Sequence, residues 1–205
     1  ASPFVFHTTP LARVNSLMLL FAVGGLALLE RPTRRRVVFG SLALLAALLT
    51  KPTALDAVVA GVTSVVLRQP RLGLLSATVI GGVGLASVGA LVVLTKGAFW
   101  LNVVAGNANS FDLGQLQSYL ANFSALHCVL LALAAAECTS LLRRRCWSPW
   151  ALYGLSAGLA TLGVAKWGAG ESYFLGAIAA VCVLSAVWVV RFLDSAPPIR
   201  LRWGL

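Results

Sequence analysis

Arginine and lysine occupy opposite ends of successive apolar segments in this chain, and that alternation restricts its fold more than any other feature. Arg31/Arg34/Arg35/Arg36, Arg68/Arg71, Arg143/Arg144/Arg145 and Arg191/Arg200/Arg202 hold twelve of the thirteen arginines, whereas Lys51, Lys96 and Lys166 fall at the intervening turns. Basic clusters beside membrane spans mark the cytoplasmic face. The pattern therefore predicts an all-α, polytopic membrane protein with its N-terminus out and its C-terminus in. Composition agrees: 59% of residues are hydrophobic, 11% are charged, and the mean hydropathy is +0.89. A net charge of +10 would suggest nucleic acid in a soluble protein. Here the charges sit where headgroups and the membrane potential favour them, so the lipid bilayer is the expected partner and nucleic acid is not.

A bilayer core of about 30 Å takes about 20 helical residues. Seven segments qualify, near Leu11–Leu29, Arg36–Thr50, Thr53–Leu67, Leu72–Leu94, Asn122–Leu142, Trp150–Ala165 and Tyr173–Phe192, the second and third being short. Residues 1–205 read as a single transmembrane domain, with no internal repeat and no linker. The stretch Asp112–Phe123 carries Leu113, Leu116, Leu120 and Phe123 at helical spacing beside Gln115, Gln117 and Ser118, which predicts a short external helix lying in the interface. Gly154 and Gly158, and the stripe Gly82, Ala86, Ala90, predict close helix packing. Ala1 is not an initiator methionine, and a first span entered from outside normally follows an earlier one, so the chain reads as part of a longer protein.

Ionisable groups at membrane depth cost about 3 kcal/mol each on insertion scales, so each calls for a partner or a role. Lys51-Pro52-Thr53-Ala54-Leu55-Asp56 joins two short segments on the external side. Two readings stand for it. Either Lys51 holds an anionic group, most naturally a phosphate, with Thr53 and the N-terminus of the next helix assisting, or Lys51 and Asp56 form a structural pair. Lys166-Trp167-Gly168-Ala169-Gly170-Glu171-Ser172-Tyr173 suits a glycine-dependent re-entrant turn near a ligand, or a plain interfacial loop with an aromatic belt. His7 and Arg13 are candidates for an external cavity; a lone histidine beside aromatics is also an ordinary interface residue. Asn102, Asn107, Asn109 and Asp112 could bind sugar hydroxyls or make turns. Glu137 is expected to snorkel toward Arg143–Arg145, and His127 to pack in the core. The sequon Asn122-Phe123-Ser124 opens a span and reads as chance. Cys128, Cys138, Cys146 and Cys182 have no metal-ligand spacing. No cofactor is identified, a divalent metal is left open, and no set for nucleophilic catalysis appears.

The runs Ser2-Pro3-Phe4-Val5-Phe6-His7 through Arg13-Val14, Leu49-Thr50-Lys51-Pro52-Thr53-Ala54-Leu55, Phe99-Trp100-Leu101-Asn102 with Asn107-Ala108-Asn109 and Phe111, and Lys166-Trp167-Gly168-Ala169-Gly170 with Tyr173-Phe174-Leu175 resemble bacterial GT-C glycosyltransferases. Glycosyltransferase family 39, the dolichyl-phosphate-mannose-protein mannosyltransferase-like group, is the nearest type. The resemblance implies an enzyme of the plasma (inner) membrane that takes a sugar from a polyprenyl-phosphate carrier on the extracytoplasmic face and passes it to an acceptor of unknown identity. It implies Lys51, with Thr53 and Arg13, at the donor phosphate. It places His7, Asp56, Lys166, Glu171 and Tyr173 around the cavity, and the pyranose near Asn107 and Asn109. The catalytic carboxylate of such enzymes lies in an external loop that would precede Ala1, so no general base is assigned. Two alternatives come from other classes. One is a non-catalytic scaffold or accessory subunit with membrane-protein partners; the other is a transporter of lipid-linked sugar, for which the paired broken helices of two related halves are missing.

Overall fold

The structure, a computed structural model, describes residues 2–8, 14–103, 105–107 and 109–195, with the side chains of residues 6–8 and 107 excepted. The described residues form helices and turns without a strand. In chain order the helices are α1 (Pro3–Thr8), α2 (Asn15–Glu30), α3 (Arg34–Thr50), α4 (Leu55–Arg68), α5 (Pro70–Leu94), α6 (Ala98–Val103), α7 (Leu113–Arg143), α8 (Pro149–Ala160) and α9 (Leu175–Ser195). Three are long and apolar enough to cross a membrane: α5, α7, and α9 taken with the turn that leads into it, Glu171–Ser195. Helix α2 is apolar but shorter.

Local chemistry explains the boundaries. Thr33 caps α3 by accepting from Arg36 N at 3.3 Å, and Ser148 caps α8 by accepting from Trp150 N at 3.2 Å, ahead of Pro149 in the first turn. Lys51 precedes Pro52 and is extended (φ −154°, ψ 123°), because the proline ring excludes the helical region for the residue before it. The chain then turns through the 3-10 segment Pro52–Ala54 into α4.

Hydrogen bonds draw together the ends of α2 and α4 and the start of α8. There Arg68 donates to Glu30 O at 2.7 Å and Leu29 O at 2.6 Å, satisfying the last carbonyls of α2. Ser148 Oγ donates to Glu30 Oε2 at 3.2 Å, and Ser64 Oγ to Trp147 O at 2.9 Å. Glycines let the backbones close up midway along α2, α3 and α4. A Cβ at Gly25 would lie 2.8 Å from Leu44 Cγ, and one at Gly61 2.6 Å from Leu44 Cδ1. Leu26, Leu29, Val37 and Leu44 are fully buried there.

Ser41 and Ser76, both fully buried, join α3 to α5 through a 2.7 Å hydroxyl–hydroxyl bond. Ser41→Ala strands the Ser76 hydroxyl and is expected to cost about 1–2 kcal/mol in thermal unfolding, while Ser41→Ala/Ser76→Ala together recover most of it. Equal melting of the single and double variants would contradict this.

Three expectations are corrected. Asp112–Phe123 is not a separate interfacial helix: it is the first arm of the 31-residue α7, capped by Asp112, which accepts from Gly114 N at 2.8 Å and Gln115 N at 3.1 Å. The arm bends at His127 (φ −120°, ψ 16°), whose Nδ1–H donates to Phe123 O at 3.0 Å, one of the recognised causes of a kink. The sequon lies within this helix. The stripe Gly82, Ala86, Ala90 does not pack: none of the most apolar stretch of α5 is buried, and the space around Gly81, Gly82 and Gly89 is open. Glu137 turns away from Arg143–Arg145 and, buried, pairs with Arg191 of α9. His127 is buried, as expected of a core residue.

Candidate functional site

At the end of α4 remote from Arg68, residues of α4 and α8 line a cavity of about 840 Å³. Its polar groups come from four places: Lys51, Thr53 and Asp56 at the α3–α4 break, Tyr153 and Ser156 on α8, Lys166 after α8, and Ser172 and Tyr173 before α9. Met18, Val59, Leu159 and Val103 supply much of the apolar wall.

Lys51 is half-buried, and the fold aims it. Its ammonium donates to Asn15 Oδ1 at 2.8 Å and Ser172 Oγ at 3.1 Å, and lies 5.8 Å from the centre of the Tyr173 ring, within cation–π range. Asn15 is the first residue of α2 and is 3% exposed. Since ammonium only donates, the amide oxygen must face Lys51. Its Nδ2 is then left, with Thr53 Oγ1, as a buried polar atom without a hydrogen bond. Such orphans cost about 1–3 kcal/mol each; both lie on residues beside the lysine.

Packing just behind the cavity wall sets Ser172 and Tyr173. Phe174 is fully buried and meets Phe4 of α1 at 5.1 Å and Phe123 of α7 at 4.6 Å between ring centres. That cluster pins the 3-10 turn Glu171–Phe174 and so presents its two preceding side chains to Lys51. Tyr173 lies over Gly163, where a Cβ would meet its ring at 2.7 Å.

The loop through Lys166 is fastened to the start of α7. The Gln115 side-chain amide reaches Val164 O, Lys166 O and Ala169 O at 2.5, 3.0 and 3.4 Å. Backbone bonds from Asp112 N to Ala165 O and from Trp167 N to Ser110 O complete the seam. Gly168 adopts φ +79°, a left-handed conformation that side chains disfavour.

The expected site residues thus divide. Lys51, Thr53, Asp56, Lys166 and Tyr173 share the cavity. Glu171 begins the adjoining turn. Asn109 donates from Nδ2 to Trp167 O at 3.0 Å, fastening the same loop. Arg13 and the side chains of His7 and Asn107 lie outside the described residues. The structural Lys51–Asp56 pair is not among the described ion pairs: the lysine bonds to Asn15 and Ser172, and Asp56 Oδ1 accepts from Ala57 N at 2.7 Å. That last bond also spends one N–H of the α4 N-terminus on Asp56 itself. Tyr153, Ser156 and Gly176 were not anticipated; within apolar helices they carry no signal that separates them from packing residues. Among the described residues, no three His, Cys, Asp or Glu side chains gather as a metal site.

No protein-family model matches the chain, and no curated protein or solved structure matches it.

Proposed function

We propose that this chain is the seven-span membrane portion of a GT-C-type glycosyltransferase, N-terminus out and C-terminus in, working at the extracytoplasmic face of the plasma membrane. It takes a sugar from a polyprenyl-phosphate donor and delivers it to an acceptor. One observation carries the reading: an ammonium, Lys51, is aimed by two neighbours onto the wall of a cavity that is otherwise largely apolar. A polyprenyl phosphate has matching chemistry, an anionic head on a hydrocarbon tail. Leu55, Val59 and Leu159, which line the cavity, are also half or more exposed, so apolar surface continues from the cavity to the outside of the helices, where a prenyl chain would lie.

Mechanistically, Lys51 and Lys166 stabilise the negative charge that gathers on the departing phosphate, an effect strengthened where water is scarce. Transfer is inverting in this reading. The base that activates the acceptor hydroxyl is not assigned.

The test uses the protein in nanodiscs with citronellyl phosphate as probe. Lys51→Ala is expected to weaken binding about tenfold, the equivalent of one charge-assisted hydrogen bond, and Lys51→Arg to retain most of it. Uncharged citronellol should bind both proteins alike. If Lys51→Ala binds the phosphate as the parent does, the enzymatic reading fails and the non-catalytic scaffold replaces it.

A further inference from the structure

The cavity contains a second polar feature that phosphate binding does not use. Asp56 on α4 and Tyr153 on α8 approach the same point on α9, Gly176. A Cβ at Gly176 would stand 2.8 Å from Asp56 Oδ2 and 2.9 Å from Tyr153 Oη. Any other residue here would therefore collide with both oxygens at once, and all three residues line the cavity.

The hydrogen-bonding capacity of this pair is mostly unspent. Asp56 Oδ1 accepts from Ala57 N, and among the described residues no side chain bonds to Oδ2 or the Tyr153 hydroxyl. The pair is positioned from behind: Ser156 Oγ donates to Asp56 O at 2.9 Å and to Tyr153 O at 3.3 Å, tying the two backbones together. The Tyr153 ring is 1% exposed and fixed in the core.

We propose that Asp56 and Tyr153 form a hydroxyl-recognition subsite, in which a ligand O–H donates to Asp56 Oδ2 while its oxygen accepts from Tyr153 Oη. A carboxylate supplies acceptors and a phenol supplies one donor, which together match the donor and acceptor of an alcohol. An ammonium ligand fits less well, because Lys51 and Lys166 line the same space and repel it. Water alone would satisfy the pair, but the cavity is far larger than a water site and is walled mainly by apolar groups. The ligand class is therefore a polyol attached to an anionic or apolar remainder, such as a sugar ring. This rests on the donor reading above for the phosphate but not for the subsite itself.

The experiment compares two probes in nanodiscs, citronellyl phosphate and citronellyl phosphoryl sugar, the latter as mannoside and as glucoside. The readout is the ratio of their affinities within each protein. The parent is expected to bind one glycosylated probe about tenfold more tightly than the bare phosphate, as one hydrogen bond to a charged group allows. Asp56→Ala and Tyr153→Phe are each expected to reduce that ratio to within about twofold of unity. Gly176→Ala, which crowds both oxygens, should do the same. Lys51→Ala should weaken every phosphorylated probe and leave the ratio standing. A ratio near unity in the parent for both sugars, or one that survives both Asp56→Ala and Tyr153→Phe, overturns the subsite. Unchanged citronellyl phosphate binding in Lys51→Ala, with the ratio still dependent on Asp56, removes the phosphate assignment and leaves the subsite. Tyr153→Phe keeps the buried ring, so it remains informative if Asp56→Ala fails to fold.

Discussion

Arg191→Ala is expected to destabilise the protein by about 3–5 kcal/mol, read as a fall in melting temperature in detergent micelles. The reason is the asymmetry of its pair with Glu137. The guanidinium side chain is 44% exposed and the carboxylate side chain 2%. Removing the arginine leaves a buried charge with no counter-ion, and breaking a buried pair from one side costs that much. Removing the glutamate instead leaves a half-exposed guanidinium that can extend toward headgroups, so Glu137→Ala should cost distinctly less. Replacing both, Glu137→Leu with Arg191→Leu, is expected to return most of the stability, because desolvation of the two ions is then avoided. Arg191→Ala melting like the parent would show that the contact between α7 and α9 does not depend on this pair.

The second large effect is expected at Gly73, near the start of α5. A Cβ there would lie 2.6 Å from Val66 Cα and 2.8 Å from Val66 N. These are backbone atoms of α4, so no side-chain rotation relieves the contact and the two helices must separate. Gly73→Ala is expected to cost about 3 kcal/mol, at the upper end for overpacking. Gly82→Ala on the same helix is the internal control. Nothing lies within 4 Å of its Cβ position, and alanine's higher helix propensity should stabilise by up to about 1 kcal/mol. If both variants shift the melting temperature in the same direction, the close approach of α4 and α5 is wrong.

Much of the helix order was legible in advance, because prolines and charged residues punctuate it. Pro32, Pro52, Pro70 and Pro149 each lie at or beside a boundary between helices, and proline's missing N–H makes such positions physically determined. The continuity of α7 was not legible. Polar residues at helical spacing beside a loop describe an interfacial helix and the exposed arm of a longer one equally well. What decides between them is the contact of Phe123 and His127 with Phe4, residues more than a hundred positions away.

The site divides along the same line. Lys51 stood out alone, as a cation at a broken helix, and that inference needs only local sequence. Its partners Asn15 and Ser172 are 36 and 121 residues distant, and their residue types are common at helix ends for other reasons. Glu137 shows the converse: charge proximity in sequence pointed to Arg143, whereas the α7–α9 packing supplied Arg191 from 54 residues away. Tyr153 and Gly176 acquire meaning only through each other and Asp56.

The unequal packing of the molecule separates the effects of substitution. Glycine-mediated contact at Gly25, Gly40, Gly61 and Gly73 ties α2, α3, α4 and α5 to one another, while the hollow lined by Lys51 and Lys166 leaves the side chains on its wall with less to touch. Mutations at these glycines should register in unfolding experiments. Substitutions on the cavity wall at Val59 and Leu159, both half or more exposed, should leave the framework that holds the helices together unchanged.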